Sequence, residues 1–213
     1  MKLRPQTMKL SDKTLTLLKN FSSINQSILF KQGSSLKTIS VMKNILAEAT
    51  IEEDLPTDFG IYDLNQFLNG LGLHQHPDLD FANQGHVVIR EGKSRTKYFF
   101  ADPNVIVTPP DKEITLPSED VSFELSTTQL DKLLKAAAIY QLPDLAVIGE
   151  AGVVKIVVRD KKNDTSNDFK VENIKIVPGT YDVVVSQKLL SRFTCRDYDL
   201  KYFIALEPDS TFG

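Results

Sequence analysis

The sequence predicts an α+β protein of two similar domains, each with two helices laid on mostly antiparallel sheet. Three observations predict it. Short runs alternating apolar and polar residues recur along all 213 positions, the pattern of half-buried antiparallel strands. A displacement of 115 positions brings Leu10, Ser11, Leu15, Leu18 and Ile24 onto Leu125, Ser126, Leu130, Leu133 and Ile139. A displacement of 110 brings Phe59, Ile61, Leu64 and Phe67 onto Phe169, Val171, Ile174 and Val177 in the same order. Two matches in one order, with a proline-rich segment between the copies, predict a duplicated unit.

The elements follow in chain order. Residues 8–23 read as a helix: Ser11 supplies a hydroxyl for the N-cap, and Leu15, Leu17, Leu18, Phe21 and Ile24 recur at helical spacing. Strands are expected at 27–30, 36–42 and 45–50, and a strand end leading into a short helix at 58–73. Further strands are expected at 86–90 and 96–100. Pro103, Pro109, Pro110 and Pro117 then fix the backbone and remove donors, so no helix or central strand runs through 102–117. The division is therefore a first domain over 1–108, a connector over 109–120 and a second domain over 121–213. The second repeats the plan: a strand at 121–125, a helix at 126–142, strands at 145–148 and 153–159, a helix at 169–178, and strands at 181–185 and 201–206.

Composition limits the function. The net charge of −3 argues against gripping nucleic acid through overall charge, though a local basic face remains open. Cys195 is the only cysteine, which excludes an intrachain disulfide and thiolate clusters and predicts a reducing cytoplasm. No apolar run reaches the roughly 20 residues of a bilayer span, and Met1 to Thr7 has no apolar signal core. No phosphate loop, dinucleotide fingerprint or nucleophile elbow occurs. His74 and His76 form a His-x-His pair whose only neighbouring carboxylates are Asp78 and Asp80, better read as a solvated turn than a metal site. Cys195 beside Arg196, and the pairs Asp78/Asp80 and Asp197/Asp199, lack partners for catalysis. The expectation is no enzyme, no metal and no cofactor.

The stretches Met8-Lys-Leu-Ser-Asp-Lys-Thr14, Leu17-Leu-Lys-Asn-Phe21 with Ile24 and Asn25, Ile61-Tyr-Asp-Leu-Asn-Gln-Phe-Leu68, and the ending Tyr202-Phe-Ile-Ala-Leu-Glu-Pro-Asp-Ser-Thr211 carry a resemblance. The sequence resembles the DNA-polymerase sliding clamps of T-even-type bacteriophages, from Met8 onward. The resemblance implies the duplicated, ring-forming DNA-clamp fold. It implies a processivity factor: a homotrimeric ring that encircles double-stranded DNA without reading its sequence and tethers the viral DNA polymerase. It further implies a clamp loader and late-transcription factors as partners, and the cytoplasm of the infected bacterial host as the setting.

The same resemblance assigns residues. Helices line the channel, so Lys13, Lys19, Lys132, Lys135, Lys170 and Lys175 are expected to face DNA. The four helix regions carry +2, −2, +1 and +1, a small basic excess in an acidic chain. Taken alone, these lysines read as ordinary solvated faces of amphipathic helices. A short partner peptide is expected in an apolar pocket between connector and chain end, implicating Val105, Ile106, Val107, Leu206 and Pro208. The competing readings are a non-catalytic trimeric virion protein and a ligand-binding α+β protein.

Overall fold

The structure, a computed structural model, describes residues 7–43, 45–110, 125–150, 153–174, 181–186 and 200–204. It divides into two compact units, Met1–Asp111 with Asp197–Gly213, and Lys112–Arg196. The expected division ended the second domain at 213. Here the stretch from Asp197 belongs with the first unit, because β13 (Leu200–Ile204) pairs antiparallel with β4 (Ile45–Leu55), setting Leu200 opposite Ala49 and Ile204 opposite Ile45.

The first unit opens with β1 (Thr7–Met8) and α1 (Asp12–Ile24). Ser11 caps α1 by accepting a hydrogen bond from Thr14 N at 3.2 Å, satisfying a donor that has no partner within the helix. Its apolar stripe buries Leu17, Leu18, Phe21 and Ile24, while Lys19 stays exposed. β2 (Ile28–Phe30) pairs with β5 (Phe59–Ile61), and β3 (Gly33–Ile39) pairs with β4. α2 (Leu64–Leu71) is capped by Asp63, whose carboxylate accepts from Gln66 N at 2.9 Å, and packs against α1. β6 (Asp78–Asp80), β7 (His86–Glu91) and β8 (Ser94–Phe99) complete a sheet ordered β1-β6-β7-β8. Phe30 stacks on Phe59 at 4.5 Å between ring centres, and Phe81 and Phe100 close over Phe59 at 5.0 and 5.1 Å.

The second unit holds α3 (Thr127–Tyr140), β9 (Asp144–Glu150), β10 (Val153–Arg159), β11 (Phe169–Ile174) and β12 (Tyr181–Ser186), in sheet order β11-β10-β9-β12. Ser126 and Gln129 form a reciprocal capping box at the start of α3. Leu133, Ala137, Leu145, Val147, Ile156 and Val158 make the core. α1 and α3 begin at positions separated by the displacement of the sequence match, each behind a capping serine.

Four expectations are corrected. No helix occupies 169–174. Those residues form β11, with Phe169 and Val171 packed toward the core and Lys170 and Glu172 outward, a period of two that a strand requires. The strand expected at 36–42 ends at Ile39, and 40–43 form a turn with Lys43 in the left-handed region at φ 57°. Residues 8–11 precede the first helix. His74 is no solvated turn residue: its side chain is 5% exposed and its Nδ1 lies 3.6 Å from a Glu91 oxygen. The strand expected at 121–125 falls largely outside the described residues, as do Cys195, Asp197 and Asp199.

Candidate partner site and helix faces

The connector leaves the first unit through a capped turn. Asp102 caps a 3-10 turn over Pro103–Val105, its carboxylate accepting from Asn104 N at 2.9 Å. That turn leaves Val105 exposed and drives Ile106 inward to 6% exposure. Gly60 makes this possible. It bridges Ala101, whose N–H donates to Gly60 O at 2.9 Å, and a Cβ added there would lie 2.7 Å from Ile106 Cδ1 and 2.8 Å from Ala101 O. Ile106 is thus an anchor holding the connector to the core. Val107 is half-buried. Leu206 and Pro208 lie outside the described residues, beyond the end of β13 at Ile204.

The end of α1, the end of β3 before its turn, and the connector converge at this end of the unit. The turn between β3 and β4 is closed by Ser40, whose N–H donates to Ile45 O at 2.8 Å and whose hydroxyl accepts from Ile45 N at 3.0 Å. Ile45 is also the ladder partner of Ile204. Asn25, at the end of α1, donates through Nδ2 to Ile39 O at 2.8 Å and Val107 O at 3.4 Å. The end of α1, the end of β3 and the connector therefore meet, while β13 lies across β4 from β3. At the tip of the turn Val41 and Met42 are 67% and 82% exposed, apolar side chains held in water. The sequence reading missed both by placing them inside a strand. A groove of about 320 Å3 runs between β2, β3 and the connector, lined by Leu29, Lys31, Ser35, Lys37, Thr108 and Pro110. Lys31 and Lys37 are paired with Asp58 and Glu48 at 3.5 and 3.0 Å.

The lysines divide. Lys19 on α1 and Lys132 and Lys135 on α3 are exposed on helix faces opposite buried leucines. Lys13 is exposed but pairs with Glu52 at 3.1 Å. Lys170 sits on strand β11, paired with Glu172 at 3.2 Å, so it belongs to no helix face. Lys175 lies outside the described residues. Near the start of α1, Glu53 on β4 accepts from Ser11 N and from the Thr14 hydroxyl. Burial alone pushes its pKa up, but these hydrogen bonds to the ionised form outweigh burial, and the net shift is downward. Glu91 is likewise lowered, mainly by the N–H groups of His76 and Gln75. Among the described residues no cluster of three or more His, Cys, Asp or Glu side chains could hold a metal, and no helix is long and apolar enough to cross a membrane.

Residues 9–108 match the family described as DNA polymerase processivity factor. The sliding clamp of Escherichia phage RB69 is 32% identical over 96% of this chain and 99% of its own. That of Enterobacteria phage T4 is 30% identical over the same shares. Among solved structures, A. fulgidus PCNA, crystallised with the C-terminal region of FEN-1 bound, superposes with a TM-score of 0.67 over 96% of this chain and 99% of that one, at 13% identity. That likeness speaks to the fold, and the phage relatives, aligned nearly end to end, speak to kinship. The chain belongs to the sliding clamps of T4-type bacteriophages, the DNA polymerase processivity factors.

Proposed function

We propose that three copies of the chain close into a ring that encircles double-stranded DNA and tethers the phage's replicative polymerase, without catalysis of its own, in the cytoplasm of the infected cell. The observation that carries this reading is the pairing of β13 with β4. In chain order, β2, β3, β4 and β5 correspond to β9, β10, β11 and β12: β2–β5 pairs as β9–β12 does and β3–β4 as β10–β11 does, while the β9–β10 ladder has no counterpart between β2 and β3. The outer edge of β4 is covered by β13, the strand near the end of the second half. Among the described residues its counterpart β11 is a sheet edge, and so is β8, the strand near the end of the first half. β8 of one copy pairing with β11 of the next repeats between chains the junction already made within one. Such a contact is head-to-tail, and it closes into a ring when the rotation allows. It would also cover Phe99 and Tyr62, large side chains left exposed at β8 and before α2. Six repeated units make the ring, whose exterior is acidic because three chains carry 3 × (−3) = −9 charges.

A ring holds DNA by topology, so its lining needs a diffuse positive field and few fixed phosphate contacts. Lys19, Lys132 and Lys135 suit that role. Lys13 is partly neutralised by Glu52, and Lys170 lies on β11, away from the helix faces. In this reading Val41, Met42 and Val107 form the walls of the partner pocket and Ile106 anchors it; Leu206 and Pro208, expected there as well, lie outside the described residues. The polymerase, the clamp loader and late-transcription factors would each insert a short extended segment there, a mode suited to exchange because little surface is buried. Light scattering tests the ring: the expected mass is three times 23.9 kDa, reduced to one chain by Phe99→Asp. A stable monomer or dimer at high concentration would overturn it.

A further inference from the structure

Asn25 is 5% exposed and lies at the meeting point of three chain segments. Its backbone N–H ends α1 by donating to Phe21 O at 3.0 Å. Its Oδ1 accepts from Ser27 N at 3.0 Å, and its Nδ2 faces two carbonyls, Ile39 O at 2.8 Å and Val107 O at 3.4 Å. The neighbours fix the amide's orientation, because Ser27 N can only donate and the two carbonyls can only accept. Ile39 is the last residue of β3 before the turn bearing Val41 and Met42, and Val107 follows the anchor Ile106. One buried amide thus ties the end of α1 to both walls of the partner pocket.

We infer that Asn25 is a positioning residue for partner binding: by spending both amide hydrogens on Ile39 O and Val107 O, it holds the exposed turn and the connector at the spacing a partner segment needs. This rests on the pocket reading given above. A carboxylate in the same place keeps the acceptor for Ser27 and turns two attractive contacts with carbonyl oxygens into repulsive ones. The turn and connector then lose their common tie, while the ladders β3–β4 and β4–β13 that build the unit remain.

The test uses the full chain and the phage's purified DNA polymerase. Binding is measured for the wild type, Asn25→Asp, Met42→Glu and the double variant, with the mass and thermal midpoint of each. Both single variants are expected to weaken binding by about tenfold or more, the scale of one lost buried polar tie. The double variant is expected to lose less than the product of the two, because both act on one pocket. If Met42→Glu weakens binding and Asn25→Asp, still trimeric, does not, the positioning role is overturned and the pocket stands. Losses that simply multiply also overturn it, since Asn25 would then act only through general stability. If Met42→Glu has no effect, the pocket reading falls and this inference with it. Should Asn25→Asp fail to assemble, Asn25→Ser, whose shorter side chain has a single O–H and cannot serve both carbonyls, adds no charge and takes its place under the same outcomes.

Discussion

The Thr14 hydroxyl in the first turn of α1 donates to the Glu53 carboxylate of β4 at 2.6 Å, and Ser11 N donates to the same carboxylate. A strand thereby serves the start of a helix, where unpaired N–H groups favour negative charge. Glu53→Ala should cost about 1–2 kcal/mol, the range for hydrogen bonds to a half-exposed charged group. Because the folded pKa is lowered, the contribution is present above the ordinary carboxylate range and is lost as pH falls through the lowered value. Thermal melts should show wild type and variant well separated at neutral pH and converging in acid. A separation that persists unchanged into acid would assign the effect to packing.

Gly60→Ala places a methyl 2.8 Å from the backbone oxygen of Ala101 and 2.7 Å from Ile106 Cδ1. The side chain can shift, but the oxygen belongs to the bridge that seats the connector. A loss of about 1–3 kcal/mol is expected, as for overpacking a filled core. Chemical denaturation measures it, and polymerase stimulation should fall as well, since Ile106 and Val107 are displaced together.

Met42→Glu and Ile106→Asp should fail differently. Met42 is solvated, so the glutamate leaves the melting temperature within the usual range of surface changes while polymerase stimulation falls sharply. Ile106 is buried without a charged partner, and an aspartate there should cost about 3 kcal/mol or more. A circular-dichroism melt beside a primer-extension assay separates loss of site from loss of fold.

Reversing Lys132 and Lys135 together to glutamate should leave stability nearly unchanged, because both are exposed on α3. In a trimer the change affects six positions, and loading onto DNA should drop and become more sensitive to salt over a Debye length of about 8–10 Å. Retention on circular DNA at graded salt measures it. Unchanged loading at low salt would mean that these lysines do not face DNA.

The amphipathic helices were legible because their signals are local. Ser11 and Ser126 announce the caps, and leucines at helical spacing announce the buried stripe. β10 was legible to the residue, since Val153–Arg159 is a run of apolar and β-branched residues bounded by turns. The stretch at 169–174 misled because its match to Phe59 and Ile61 was extended into the helix that follows them. Alternation of Phe169, Lys170, Val171 and Glu172 was the better guide, and the structure follows it. At the site, proline spacing located the connector, but its inward and outward residues depend on contacts far along the chain. Ile106 is buried because Gly60 leaves room for it, and Asn25 matters because Ile39 and Val107 come within reach of one amide. No local pattern encodes those meetings.

The ladder between Ile45 and Ile204 joins positions near opposite ends of the chain. A ribosome delivers β4 long before it delivers β13, so through most of synthesis the edge of β4 has no covering strand. An open edge is a template for any passing strand, and such long-range pairing is slow because a large loop must close first. Completion of the first unit is therefore timed by the arrival of residues 200–204, and a polypeptide stopped short of them would carry an adhesive edge in place of a finished subunit.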